Sequence, residues 1–498
     1  MWWDSIFSPV MSDIAHVLLI VWVAFEWILR LLALFVVPRN RGPNAGVSWM
    51  VFIFLVPAVG WVAFLIFGSS RLPKNRRDAQ VSLDQYLLES MQRASVQWKK
   101  AATLLDATPP DKYKNSVKLS ARLTHLPLFS GNAIQPVVDY DESIQRIIDD
   151  IHAAKHYVMI EYYIITHDST TAPLFAALEA AVQRGVRVRV LYDAYGSYKY
   201  PGRKAMIARF AAIGVEAHAM LPLQFPGKGY TRPDLRNHRK IVVIDGIVGY
   251  TGSLNMIQRD YHRRDDIVYD ELVVRVEGPI AAQLEVVFLN DWLAETGEFL
   301  QDFGSNVEEQ LKPRGNVLAH VIPSGPGYEY ENNKKFFASL FYTAQKQITI
   351  VNPYFVPDES LISALISAAM RGVKVTLVNS EAIDQIFVAH AQRSYYEQML
   401  KAGVSIYLYQ APTLLHAKYT IIDNDACFVG SSNMDIRSFE LNQELTLTAY
   451  DEKFVATMQT ITNQYLQHAI KIEKSTWLQR PPRKQLLDNL ARLTSSLQ

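Results

Sequence analysis

The sequence predicts an α/β fold: two duplicated α/β domains with mainly parallel sheets around one shared active site, preceded by a transmembrane helical hairpin. Three observations carry this. His238-Arg-Lys240, Asp245, Gly252-Ser253 and Asn255 recur at identical spacing as His416-Ala-Lys418, Asp423, Gly430-Ser431 and Asn433. The segments around the two strings also recur in order, as expected of a duplicated domain. Finally, the first 70 residues hold two long apolar runs.

Residues 1–70 read as the hairpin. The run 14–37 exceeds the roughly twenty helical residues that cross a bilayer, and Pro38 ends it. A polar turn, 39–46, leads to a second span, 47–67, interrupted only by Pro57 and Gly60, which membrane helices tolerate. No lysine or arginine precedes the first run, so a cleaved leader is not expected. Glu26 and Arg30, four apart within the first span, read as an internal ion pair, with a headgroup or subunit contact as the alternative. Arg71, Lys74, Arg76 and Arg77 after the second span outweigh Arg39 and Arg41 in the turn, which places the catalytic part in the cytoplasm.

Residues 71–127 are a polar, helix-prone linker whose Lys99, Lys100, Lys112 and Lys114 suit a position near anionic headgroups. The first domain covers 128–312 and the second 313–482, with a C-terminal tail at 483–498. Each domain starts with a helical stretch, 143–154 and 337–345, before a β-rich strand. Val158–Tyr163 aligns with Thr349–Tyr354. A second helix follows, 172–184 and 360–371, leading through Gly-Val into another strand. Strands alternating with helices argue for parallel pairing. The stretch Phe225–Pro233, with Lys228, Tyr230 and Arg232, reads as a loop at the mouth of the site; its counterpart Gln410–Leu415 is shorter and apolar.

The chemistry lies in the duplicated strings. A histidine and a lysine two apart on a strand share a face, so two such strands can place two imidazoles and two ammonium groups in one site. Lysines and asparagines can stabilise a phosphoryl group in its transition state. One histidine can attack phosphorus while the other exchanges a proton with the leaving and entering alcohols. With 50 basic and 49 acidic residues the chain lacks the positive excess of a nucleic-acid binder. The single cysteine, Cys427, allows no intrachain disulfide and reads as strand filler.

These motifs, with Glu161-Tyr-Tyr163, Tyr250–Met256, Glu277–Ile280, Ser324–Gly327, Pro353–Asp358 and Asn433–Ser438, resemble the phospholipase D superfamily. Within it, nearly the whole chain is similar to the bacterial cardiolipin synthases of the phospholipase D type. The resemblance implies two phospholipase D-like domains and a phosphatidyltransferase of the bacterial inner membrane. Its substrate would be phosphatidylglycerol and its product cardiolipin, with no cofactor, metal or nucleic acid. A hydrolytic phospholipase D and a transfer to another alcohol are the alternatives; a membrane-bound nuclease of the superfamily is disfavoured by the charge. His238, Lys240, Asp245, His416, Lys418 and Asp423 form the catalytic set, although both aspartates lie five residues past their lysines and are expected to brace the fold. Ser253, Asn255, Ser431 and Asn433 are expected on the substrate. By resemblance, Glu271 and Glu444 orient the histidines from behind.

Overall fold

The computed structural model describes residues 2–40, 43–68, 72, 76, 108–222, 231–262, 267–300 and 307–492. It divides into two compact units: Met1–Leu72 with Gln224–Asp234, and Pro73–Leu223 with Leu235–Gln498.

In the first unit a helix runs through Trp2–Asn40. Its 27-residue apolar portion, Ile14–Asn40, is the one helix among the described residues long and apolar enough to cross a membrane. The second run, expected as a continuous span, is instead two helices, Pro43–Leu55 and Pro57–Phe67. Proline explains the break: Pro57 has no N–H for the Ile53 carbonyl, and its ring resists a continued helix. Gly60 lets the segments close up, since a Cβ there would lie 2.7 Å from Ile53 Cα. Arg30 resolves as the internal pair, 3.1 Å from Glu26, and its Nε also donates to the Phe54 carbonyl at 3.1 Å, beside the break. Trp61 Nε1 donates to the Leu29 carbonyl at 2.8 Å, so polar groups tie the hairpin together around Ala33, Val37, Ile53 and Phe64.

The second unit is built on a long mixed sheet whose strand order repeats on either side of a seam. Outward from the seam, the first half places Phe129–Val137, Val273–Glu277, Val248–Gly252, Lys240–Ile244, Tyr157–Tyr162, Arg187–Asp193 and Glu216–Met220. The second places Val317–Ser324, Asn442–Tyr450, Ala426–Gly430, Tyr419–Ile422, Gln347–Val351, Lys374–Ser380 and Ser405–Tyr409, with Ala469–Lys471 beyond. Phe129–Val137 and Val317–Ser324 join the halves by antiparallel pairing, with Phe129 opposite Ala319.

Parallel pairing holds in the outer three strands of each half, where helices such as Ala172–Gln183 and Glu359–Met370 link successive strands. Along the rest of the sheet's main path the mainly parallel expectation gives way to antiparallel pairing, because the motif strands are joined by tight turns without a crossover helix. The register also corrects the alignment of the halves by one residue. Val158 sits opposite Val188 and Ile348 opposite Val375, so Val158 corresponds to Ile348 rather than Thr349. One position matters, since it exchanges the two faces of a strand.

Each half has its own apolar core under its helices, around Ile147, Ile160, Phe175 and Val190 in the first and Phe337, Ile350, Leu365 and Phe428 in the second. Cys427 is buried in the strand Ala426–Gly430, as expected of filler. Of the expected linker, Lys99 and Lys100 lie outside the described residues. Its end is no free tether: Lys114–Thr124 is helical, and Tyr113 is buried with its hydroxyl donating to Asp425 at 2.7 Å.

Candidate active site

The two motif strands deliver His238 and His416 to one cavity of about 420 Å³, which Asn255 and Asn433 also line. What aligns the histidines is an exchange between the halves. The short strand Arg236–Asn237 pairs in parallel with Asn442–Gln443 of the other half, and the His238 amide donates to the Gln443 carbonyl at 2.8 Å. Thr413–Leu415 pairs in the same way with Val268–Asp270, and the His416 amide reaches the Asp270 carbonyl at 2.7 Å. Each histidine is thereby set beside the glutamate that follows the partner strand. His238 Nδ1 lies 3.0 Å from Glu444, and His416 Nδ1 lies 2.9 Å from Glu271. With Nδ1 engaged, the second ring nitrogen of each histidine is left for chemistry.

The Gly-Ser pairs explain how a glutamate comes this close. A Cβ at Gly252 would stand 2.2 Å from the Leu272 carbonyl oxygen, and one at Gly430 would stand 2.1 Å from that of Leu445. Glycine therefore admits the neighbouring strand, and the following serine amides bond those carbonyls at 2.9 and 3.0 Å. Ser253 and Ser431, expected on the substrate, are fully buried behind the histidines instead. The Ser431 hydroxyl donates to Glu444 at 2.5 Å, and that of Ser253 bridges the Leu272 backbone. A hydroxyl so placed steadies the glutamate strand and does not line the cavity.

The lysines stand closer to the backbone than their expected role requires. Lys240 Nζ donates to the His238 carbonyl at 2.7 Å, and Lys418 Nζ to that of His416 at 2.6 Å. Burial lowers their pKa, to about 8 for Lys240 and about 7 for Lys418, against the opposing pull of Glu444 and Glu271. Asp245 and Asp423, counted with the catalytic set, sit outside the cavity. Asp245 accepts the amides of Lys155, His156 and Tyr157, and Asp423 those of Gln345, Lys346 and Gln347 together with Lys112 Nζ at 2.6 Å. They brace the entry to the adjacent strand in each half.

The two histidine–glutamate pairs are not equivalent. Burial holds His238 down at about 4; it would raise Glu444, but His238, Lys240 and Ser431 outweigh it and bring that carboxylate to about 2. Glu444 gains a further donor in Asn442, at 3.4 Å. In the other pair, burial raises Glu271 to about 7, and burial with Lys418 and Lys240 pushes His416 far down. Near neutral pH the Glu271–His416 pair therefore holds a shared proton that Glu444–His238 lacks.

Several lining residues escaped the sequence reading. Arg236 is buried 3.3 Å from Asp193 and stacks over the Tyr195 ring. Its position, two before His238 and on the same strand face, is occupied by Leu414 in the second motif, so comparing the lead-ins would have found it. Tyr269, Tyr354 and His262 gather around Asp384, with Tyr354 donating to it at 2.5 Å. No repeat marks Tyr269 or His262; Tyr354 falls within the repeated segment and within Pro353–Asp358, which the sequence already singles out. Lys228 and Tyr230 of the expected mouth loop lie outside the described residues.

A family model described as cardiolipin synthase, PLD-like domain, matches residues 147–292 and 338–466. A cardiolipin synthase of Alkalihalophilus pseudofirmus is 32% identical over 467 residues, 92% of this chain and 90% of its own. Cardiolipin synthase A of Proteus mirabilis is 30% identical over 95% of this chain and 97% of its own. The fold is similar to that of phosphatidylserine synthase from Haemophilus influenzae, with a TM-score of 0.59 at 16% identity over 76% of this chain and 98% of that one. Two matched segments flanking one shared cavity, and relatives aligned over nearly its whole length, show that the chain belongs to the cardiolipin synthases with phospholipase D-like domains.

Proposed function

We propose that this membrane-associated phosphatidyltransferase makes cardiolipin from two molecules of phosphatidylglycerol through a phosphatidyl-histidine, with His238 as nucleophile and His416 as acid and base. The difference between the two pairs carries the assignment. His238, backed by an ionised Glu444, is neutral and free to attack, whereas the Glu271–His416 pair has a proton to give.

In the first step the free ring nitrogen of His238 bonds to phosphorus and the bond from phosphorus to the glycerol oxygen breaks. His416 supplies the proton that makes free glycerol. In the second, His416 takes the proton from a hydroxyl of another phosphatidylglycerol; its oxygen bonds to phosphorus, the phosphorus–nitrogen bond breaks, and His238 is restored. One phosphodiester replaces another, so no nucleotide is consumed. Asn255 and Asn433, which line the cavity, are assigned to the phosphoryl oxygens, and Lys240 and Lys418 act on those oxygens through charge from behind the histidines. Both apolar runs of the hairpin cross the inner membrane, with the catalytic unit on the cytoplasmic side.

The experiment is lipid mass spectrometry after supplying the purified protein with isotopically labelled phosphatidylglycerol alone. Cardiolipin and glycerol in equal amounts are expected. Phosphatidic acid as the main product would make the protein a hydrolase.

A further inference from the structure

The tail expected after residue 482 is an ordered helix, Pro482–Arg492, packed on the helix Ile386–Lys401. It is pinned there by polar contacts: Asp488 lies 2.8 Å from His390 Nδ1 and accepts from Arg480 at 2.8 Å, while the Arg492 guanidinium stacks 4.6 Å over the Tyr395 ring. Asp488 and Ala491 are buried on that side. The other side is apolar and bare. Leu486, Leu487 and Leu490 are 60, 54 and 51% exposed, and their spacing gathers them on one face. Arg483, Lys484 and Arg492 are the exposed charges of this helix, all basic, because its one acid is the buried Asp488.

The supporting helix bears two more exposed apolar side chains. Ile386 and Phe387 are 66 and 70% exposed, within one turn of His390, and the two residues before them, Asp384 and Gln385, line the catalytic cavity. Two packed helices thus carry five large exposed apolar side chains, two of them next to cavity-lining residues and three of them beside cations. Apolar residues with lysine and arginine beside them fit the interface of an anionic bilayer.

We propose that this surface docks the catalytic unit on anionic phospholipid: Leu486, Leu487, Leu490, Ile386 and Phe387 enter the interfacial layer, Arg483 and Lys484 meet its phosphates, and the cavity mouth is held against the lipid it consumes. The inference rests on the reading that phospholipid enters this cavity. It adds a second membrane contact to the N-terminal hairpin.

The test uses the full chain with Cys427→Ala and Leu487→Cys, labelled with bimane and reconstituted into phosphatidylglycerol–phosphatidylcholine vesicles. Blue-shifted emission that doxyl-labelled lipid chains quench is expected, and less of both in vesicles of phosphatidylcholine alone. Emission typical of water, quenched by iodide, would overturn the proposal. So would a blue shift that doxyl lipids leave unquenched, the mark of cover by a second copy. In parallel, the Leu486→Ser/Leu487→Ser/Leu490→Ser variant should lose about tenfold of its activity on vesicles while keeping its rate on detergent-dispersed substrate, as expected when only local presentation is lost. Equal rates in both assays would count against docking. The bimane readout needs no catalysis, so it stands even if phosphatidylglycerol proves to be the wrong substrate.

Discussion

At the scale of single residues, symmetry in sequence hides asymmetry in charge. His238 and His416 sit in motifs with the same Lys, Asp, Gly-Ser and Asn at the same spacing, and that spacing is why both could be named without a structure. Both glutamates have a motif serine beside them; the neighbour that differs lies outside the motif, with Asn442 donating to Glu444 at 3.4 Å where Tyr269 holds the equivalent place before Glu271, which remains high at about 7. The crossing of the glutamates, each to the other half's histidine, is a property of strand pairing and could not be read from the motif. The place of the serines is hidden from the sequence for a related reason, since only the close approach at Gly252 and Gly430 reveals that the next residue faces the glutamate strand.

The pH profile should report this asymmetry. His238 is depressed from its ordinary value near 6.5 to about 4, so it stays neutral until the pH falls to about 4. The Glu271–His416 proton is lost as the pH rises past about 7. Turnover on detergent-dispersed substrate is therefore expected to hold between those limits and fall on either side. Lys418 at about 7 and Lys240 at about 8 lose their charge over the same range, so Glu271→Gln should change the alkaline limb and leave only the lysines' part of it, whereas Glu444→Gln should leave the Glu271 part in place. An acid limb near 6.5, or an alkaline limb indifferent to Glu271→Gln, would reverse the assignment. The His238 contribution to stability has the matching sign: the unfolded chain takes up that proton first, so the contribution declines as the pH drops from about 6.5 towards 4, while Glu271, which the folded chain protonates first, works in the opposite direction.

At the scale of elements, the helices flanking the motifs were legible because of their period, and two of them also carry an aspartate cap. Tyr140–Ala153, for example, begins where Asp139 accepts the Glu142 amide. Pairing direction was less legible, because a tight turn and a helical crossover are distinguished only by the length of intervening chain, and the motif strands were absorbed into the strand–helix alternation. The break at Val56 shows proline ending a helix that apolarity alone would continue. The motif aspartates act at this scale too. Asp245 and Asp423 occupy left-handed turns, with φ of 53° and 52°, and gather the amides of the next strand's start. Asp245→Asn and Asp423→Asn should each cost about 1–3 kcal/mol through lost amide partners, with turnover per folded molecule unchanged. Thermal unfolding and active-site titration on the same samples will separate the two effects; a large fall in turnover at full stability would return the aspartates to the chemistry.

Across the whole catalytic unit, duplication makes one site from two halves that are each incomplete. Either half alone has a histidine without its glutamate, and the seam between Phe129–Val137 and Val317–Ser324 carries the sheet from one to the other. The repeat in the sequence implied one shared site, and the cavity lined by both histidines is that site. The asymmetry of its walls, with Arg236 on one lead-in and Leu414 on the other, suits a reaction that handles a donor and then an acceptor. The most direct test of the account is to trap the intermediate. The His416→Ala variant should be mixed with a phosphatidyl ester of p-nitrophenol, whose leaving group needs no proton, then quenched and digested for mass spectrometry. The phosphatidyl group is expected on His238, where it accumulates because the acceptor hydroxyl lacks its base, and His238→Ala should carry none. A phosphatidyl group on His416 in the His238→Ala variant, or rapid turnover with no covalent adduct on either histidine, would contradict it.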